Sequence, residues 1–60
     1  MEDLRQRLQR FHKEQGVSYK AIAAGADISL GSLYQFNGGY RDMKEEPAAA
    51  LDKYLKDRNY

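Results

Sequence analysis

The chain lacks cysteine and tryptophan, and it contains one histidine and one proline in 60 residues. Without cysteine it forms no disulfide, no thiolate metal site and no cysteine nucleophile. A single histidine, His12, cannot build a two-histidine metal site, and no acidic cluster takes its place, so we expect no metal and no cofactor. No nucleophile, base and orienting residue occur together, so we expect neither an enzyme nor a small-molecule substrate.

Long apolar runs are also missing. The longest strongly apolar stretch, Ala21 to Ala24, is much shorter than a bilayer crossing requires. The first ten residues are charged rather than apolar, and we therefore expect no signal peptide. Together with the lack of cysteine, these features predict a cytoplasmic protein that does not enter a membrane.

The formal net charge is only +1, from ten basic and nine acidic residues. A nucleic-acid-binding protein usually carries a clear basic excess. The distribution is more informative, because the first third is rich in Arg and Lys while residues 42–57 are nearly neutral. We interpret Arg5, Arg7 and Arg10 as a solvated helix face. A chain of this length forms one domain, residues 1–60.

Apolar residues recur at helical spacing in four segments, which predicts an all-α fold. We expect a compact bundle of short helices at about residues 2–15, 18–25, 29–37 and 46–58. Ser18 and Ser29 suit the N-cap positions of the second and third helices. Gly16 and the pair Gly38-Gly39 suit helix C-terminal ends.

Asp27 and Ile28 form the break between the second and third helices. Aspartate tolerates the left-handed conformation that such a turn needs, and Ile28 is expected to point into the core. For the fourth helix, Asp42 and Glu46 are alternative caps, and Pro47 suits a first turn. Residues 57–60 are expected to fray.

The most specific signal is the segment 18–37, which we interpret as a helix-turn-helix. Such a motif needs a small residue where its two helices cross, an apolar residue in the turn and apolar anchors on the second helix. Ala23, Ile28, Leu33 and Phe36 meet these needs in that order.

This segment resembles the phage repressor and Cro family of helix-turn-helix domains, the lambda-repressor-like fold. The matching residues are Ile22-Ala23, Ala26, Ile28-Ser29, Leu33, Phe36 and Asn37-Gly38-Gly39. The resemblance covers most of the chain, because the family also has a helix before and a helix after the motif. It implies a cytoplasmic, often dimeric protein that binds double-stranded operator DNA and regulates transcription, such as a repressor of a phage or mobile element.

The resemblance also implies site residues, because the second motif helix of the family lies in the major groove. The groove-facing candidates are Ser29, Leu30, Gly31, Ser32 and Gln35. Gln35 suits a bidentate pair with adenine, and Leu30 suits a thymine methyl group. The phosphate candidates are Ser18, Tyr19, Lys20, Arg41, Lys44 and Arg10.

Three positions depart from the family pattern. Asp27 stands where glycine is usual in the turn, and Tyr19 stands where glutamine is frequent. Leu30-Gly31 offers no polar group where the family often has a polar base reader. Either specific recognition is then relaxed, or it uses Tyr34, Asn37 and DNA shape.

The low net charge motivates a second interpretation, a protein-interaction module on the same fold. As an anti-repressor or a dimerisation partner, the chain would dock Leu30 and Tyr34 into a protein groove. Because a lone motif makes few base contacts, useful DNA affinity needs a dimer or a second DNA-binding unit. The candidate surface for self-association as a homodimer is the region near Leu51 to Tyr60, with exposed Tyr54 or Tyr60.

Overall fold

In the computed structural model, which describes residues 2–60, the chain folds into four α-helices, and this range contains no strand. The helices are α1 (Glu2–Gln15), α2 (Tyr19–Ala26), α3 (Leu30–Asn37) and α4 (Glu45–Lys56). The all-α prediction is confirmed, and the helix ends lie within about two residues of the expected positions. Met1, the first residue of the predicted domain, lies outside the described residues.

Helix α1 is amphipathic. Leu4, Leu8 and Phe11 are buried and lie on one face, because they are four and three residues apart. Two acids, Glu2 and Asp3, occupy the first turn, where they suit the positive end of the helix dipole. Gly16 ends the helix with φ 65°, and its N–H donates to the His12 carbonyl oxygen at 3.1 Å.

The turn between α2 and α3 is closed by backbone bonds of the Schellman type. Asp27 takes the left-handed conformation (φ 57°, ψ 47°), as predicted. Its N–H donates to the Ala24 carbonyl at 3.3 Å, and the N–H of Ile28 donates to the Ala23 carbonyl at 2.9 Å. Ile28 packs half-buried against the core, which fixes the direction in which α3 leaves.

Both predicted serine caps are confirmed. Ser18 Oγ accepts from the Ala21 N–H at 3.1 Å, and Ser29 Oγ accepts from the Ser32 N–H at 3.4 Å. Their helices therefore begin one residue after each serine, at Tyr19 and Leu30.

Neither predicted cap of α4 acts as one. Lys44 occupies the N-cap position with no side-chain cap bond. Asp42 Oδ1 instead accepts a hydrogen bond from Arg5 Nη2 at 3.3 Å, and Glu46 lies within the first helical turn. The acids Glu45 and Glu46 suit that turn through the helix dipole alone.

The core joins all four helices and one loop residue. The buried side chains are Leu4, Leu8, Phe11, Ile22, Ala23, Ala26, Leu33, Phe36, Met43, Leu51, Tyr54 and Leu55. Met43 lies between α3 and α4, so the intervening loop is anchored to the core rather than free. None of the helices over residues 2–60 has the length and apolarity to cross a bilayer.

The segment after α4 does not fray, which corrects the expectation for residues 57–60. Asn59 adopts φ 67°, and the N–H of Tyr60 donates back to the Leu55 carbonyl at 2.8 Å. The Tyr60 ring packs edge-on against Phe11, with centroids 5.1 Å apart. Tyr54 is buried and Tyr60 half-buried, so neither is the exposed self-association residue that the sequence predicted.

The prediction that Arg5, Arg7 and Arg10 form a solvated face is wrong for Arg5 and Arg7. The side chains of Arg5 and Arg7 are 15% and 17% exposed, whereas that of Arg10 is 58% exposed. Arg7 bridges α1 to α4, donating to the Tyr60 backbone oxygen at 2.7 Å and to Asp52 Oδ1 at 2.6 Å. Hydrogen bonds from Arg7 and then from Lys56 hold the pKa of Asp52 below its ordinary value of 3.8.

Candidate nucleic-acid interface

Helix α3 presents one face to the core and the other to solvent. Leu33 and Phe36 are fully buried, while Gly31, Ser32 and Gln35 are exposed. Ser29 is exposed as well, so four of the five residues predicted to face the DNA major groove are open to solvent. Leu30 differs, because it packs half-buried against the core and only part of its side chain faces solvent.

A groove of about 340 Å³ runs from the exposed face of α3 to the start of α4. It brings together four of the predicted site residues, two from α3 and two from the following loop. The residues that line it are Ser32, Gln35, Arg41, Asp42, Met43, Lys44 and Pro47. We call this surface the α3–loop groove. It combines an amide that can both donate and accept with two cations and one carboxylate, that of Asp42.

The loop of the α3–loop groove is held in place by its own backbone and by Met43. The N–H groups of Tyr40 and Arg41 donate to the Gln35 carbonyl oxygen at 2.9 and 3.3 Å. Gly39 makes this return possible by adopting φ 80°. The role of Met43 was missed at the sequence level, although an apolar residue inside a charged loop was the available signal.

A second groove, on the other side of the α3 N-terminus, is acidic. It is lined by Ala26, Asp27, Ile28, Ser29, Ser32, Glu46, Pro47 and Ala50. Ser32 and Pro47 line both grooves, so a groove with two cations and one carboxylate adjoins a groove with two carboxylates, and the net charge changes sign between them. An anionic ligand is therefore attracted at Arg41 and Lys44 and repelled at Asp27 and Glu46.

A half-buried arginine ties α1 to the α3–loop groove. Arg5 Nε donates to the Phe36 carbonyl oxygen at 2.7 Å, and Arg5 Nη2 contacts Asp42 Oδ1 at 3.3 Å. Its Nη1 contacts Glu2 Oε1 at 2.6 Å, and its Cζ lies 4.7 Å from the centroid of the Phe36 ring. This role was not predicted from the sequence, although Arg5 borders the buried stripe that begins at Leu4.

At the start of α2, the three phosphate candidates differ in availability. Ser18 Oγ already accepts the cap bond, while Lys20 is exposed. The half-buried ring of Tyr19 stacks on His12, with centroids 4.0 Å apart, and meets Tyr34 edge-on at 6.0 Å. Tyr19 therefore links α1, α2 and α3, and only its outer part is open to a ligand.

The contacts of Arg10 lie outside the α3–loop groove. Its guanidinium lies over the Tyr60 ring at 5.0 Å and pairs weakly with Glu14 at 4.0 Å. Neither partner belongs to α3 or to its following loop.

No group of three metal-ligating side chains occurs among the described residues. In comparisons with known proteins, no family model, no curated protein and no solved structure matches the chain. The resemblance of residues 22–39 to the repressor and Cro family stays a prediction from the sequence.

Proposed function

We propose that the chain is a sequence-specific DNA-binding regulator of transcription that reads a major groove with α3. The observation that carries this proposal is the α3–loop groove. A base-reading side chain, Gln35, and two cations, Arg41 and Lys44, share one continuous surface there. Specific DNA recognition requires this combination of base-edge contacts and phosphate contacts.

In this mechanism, α2 and α3 act as a helix-turn-helix. The Gln35 amide accepts from and donates to the adenine edge. Ser32, on the α3–loop groove, reaches a base or a phosphate, and Ser29, on the acidic groove, reaches a base near the start of α3. Arg41 and Lys44 neutralise the phosphates of one strand. Lys20, at the start of α2, is a further exposed cation for the backbone.

The charge reversal across α3 sets the orientation on DNA. Phosphates follow the side of the α3–loop groove, because Asp27 and Glu46 repel them on the other side. The proposal includes a repressor-type role, a cytoplasmic location and an operator bound by two copies of the chain, since one motif makes few base contacts.

A protein-interaction module on the same fold is the second candidate. It is favoured by the acidic groove and by two large exposed side chains, Tyr34 at 52% and Tyr40 at 83% exposure. Exposed aromatic residues next to polar ones are typical of protein interfaces. Under this alternative, Leu30 and Tyr34 contact a protein groove instead of DNA.

Backbone NMR with a mixed-sequence duplex of about 20 base pairs separates the two functions, because that length spans two half-sites. We expect shifts at Ser32, Gln35, Arg41 and Lys44 that weaken steeply as salt is raised. Lys53 and Lys56, exposed cations on α4, serve as the internal control and should not shift with them. Absence of any shift at low salt would contradict DNA binding and favour the interaction module.

Sequence specificity is tested separately by selection from a random duplex library. We expect enrichment of one half-site that contains an adenine, which Gln35 can read. A library that binds without enrichment would reduce the function to nonspecific binding of DNA.

A further inference from the structure

Two arginines of α1 form a matched pair with different partners. Arg5 and Arg7 are similarly buried, and each donates to a backbone oxygen at 2.7 Å. Each also contacts a carboxylate on another part of the chain, Asp42 for Arg5 and Asp52 for Arg7. Arg5 thus holds the C-terminal end of α3 and its loop, whereas Arg7 holds α4 and Tyr60.

On the basis of the proposed function, we propose that Arg5 is a positioning residue for the DNA interface. It contacts no DNA itself. It fixes the α3–loop groove by joining Phe36, at the end of α3, to Asp42, which lies between Arg41 and Met43 in the loop. The phosphate-binding cation Arg41 is thereby held next to Gln35 before DNA arrives.

Arg5 preorganises the loop that follows α3. A loop that is not held must be ordered on binding, and this entropic cost weakens the complex. The backbone bonds from Tyr40 and Arg41 to Gln35 fix the start of the loop, and Met43 fixes its middle. Arg5 supplies the link between these points through Asp42, whose side chain is otherwise largely exposed, at 70%.

Arg5 also controls the charge of the groove. Asp42 is the carboxylate among the residues that line the α3–loop groove, and it lies beside two cations that we assign to phosphates. The guanidinium of Arg5 pairs with Asp42 at 3.3 Å from the α1 side while it also pairs with Glu2 at 2.6 Å, and it thereby offsets part of the Asp42 charge. Without Arg5, the carboxylate would be free to pair with Arg41 or Lys44 and to repel DNA.

The test compares Arg5→Gln with Arg7→Gln, which remove the same charge from the same helix. Binding to a fluorescein-labelled mixed-sequence duplex is measured by anisotropy at a temperature where circular dichroism shows every variant to be folded. We expect Arg5→Gln to bind about fivefold more weakly than wild type. The slope of log affinity against log salt concentration should be smaller by about 0.9, because Arg41 is no longer held in place and loses its phosphate contact. Arg7→Gln should bind like wild type.

Arg5→Lys distinguishes positioning from net charge. Lysine keeps the charge but lacks the planar fork that reaches Phe36 and Asp42 together. We expect Arg5→Lys to lose affinity about as much as Arg5→Gln. Wild-type affinity in Arg5→Lys, or equal losses in Arg5→Gln and Arg7→Gln, would overturn the proposal.

Amide hydrogen exchange tests the same idea without DNA, so failure of the proposed function and failure of this inference remain distinguishable. The amides of Tyr40 and Arg41 should exchange faster in Arg5→Gln than in Arg7→Gln, relative to the core amides of each variant. Should Arg5→Gln not fold, Asp42→Asn breaks the exposed end of the same link, and the same two amides should exchange faster. Unchanged exchange at both amides would overturn the inference, whatever the affinity for DNA.

Discussion

The ring of Tyr54 occupies the space in which a side chain at Gly25 would begin. A Cβ built on Gly25 lies 2.4 Å from Tyr54 Cε1, closer than two carbon atoms can approach, and 3.2 Å from Cδ1, which is a tight contact. Tyr54 cannot easily retreat, because Phe11 meets its ring edge-on at 5.7 Å and the Arg58 guanidinium lies 3.6 Å from its centroid. Gly25 therefore permits the close approach of α4 to α2.

We expect Gly25→Ala to destabilise the fold by about 1–3 kcal/mol, since the added methyl overpacks a fixed aromatic contact. Urea unfolding followed by circular dichroism measures this change. Gly31→Ala is the matched control, because its Cβ would have only Ser29 Oγ nearby, at 3.7 Å. That control should gain up to about 1 kcal/mol from helix propensity. Destabilisation of similar size in both variants would contradict the steric explanation.

Gly31→Ala also separates stability from binding. Gly31 is exposed on the first turn of α3, where the proposed function places DNA. A methyl group there keeps the α3 backbone away from the major groove of DNA. We therefore expect the variant to be more stable than wild type but to bind the mixed-sequence duplex more weakly. Anisotropy titration measures the affinity. Unchanged affinity would show that this turn of α3 does not approach DNA.

The Arg7–Asp52 pair predicts how stability depends on acid. Hydrogen bonds from Arg7 and Lys56 lower the pKa of Asp52 in the folded chain, so the unfolded chain binds the proton more readily. The stabilisation from Asp52 is thus present above its ordinary value of 3.8 and is lost as the pH falls through the lower folded value. We expect Asp52→Asn to be less stable than wild type at neutral pH and to lose less stability on acidification.

Urea unfolding at a series of pH values measures this effect. Glu45→Gln removes the same charge from α4 and is the control, because no ion pair among residues 2–60 involves Glu45. The Arg7–Asp52 pair is intact in this control, so the loss of stability on acidification that comes from Asp52 should remain. An Asp52→Asn variant whose stability falls as steeply as wild type between neutral and acidic pH would exclude Asp52 as the titrating group.

The elements that the sequence predicted well are those fixed by local chemistry. The Leu4, Leu8 and Phe11 stripe follows from helical spacing, and Ser18 and Ser29 cap because their hydroxyls reach N–H groups three residues ahead. The left-handed turn was also predicted, since aspartate tolerates that conformation. Each of these features depends on residues close together in the chain.

The features that were missed depend on distant partners. Arg5 was interpreted as solvated because its partner at Phe36 is 31 residues away and becomes visible only when α1 packs on α3. The buried position of Met43 likewise follows from the path of the loop between two helices. The candidate interface was predicted residue by residue, but its charge reversal required the placement of Asp27 and Glu46 around one helix start.

Tyr60 was expected to fray, and its contacts predict a measurable contribution to stability. Its hydroxyl donates to Glu14 Oε1 at 2.7 Å and accepts from Gln15 Nε2 at 2.9 Å, while its ring packs on Phe11. We expect Tyr60→Ala to cost about 1–3 kcal/mol, mainly through the aromatic contact. Tyr60→Phe keeps the ring and should cost less than about 1 kcal/mol, because the lost hydrogen bonds are exposed. Thermal unfolding of both variants tests this, and equal losses would assign the stability to the hydroxyl instead.

Gln35 and Arg41 lie on one groove but are proposed to do different work on DNA. Gln35→Ala removes a base contact, so we expect about 1–3 kcal/mol of lost discrimination at one base pair and little change in the salt slope. Arg41→Ala removes a phosphate contact, so we expect weaker binding to all sequences and a slope smaller by about 0.9. Anisotropy titrations on a selected duplex and on single-base variants of it, each at several salt concentrations, measure both quantities.

Lys53→Ala is the control for this pair, because it removes a cation from the exposed side of α4 without touching the α3–loop groove. It should leave both base preference and salt slope close to wild type. Base edges carry sequence information and phosphates do not. Gln35→Ala should therefore change base preference, whereas Arg41→Ala should weaken binding to every sequence. If Gln35→Ala and Arg41→Ala lowered affinity equally for every sequence, Gln35 would be a backbone contact, and base reading would have to be assigned elsewhere on α3.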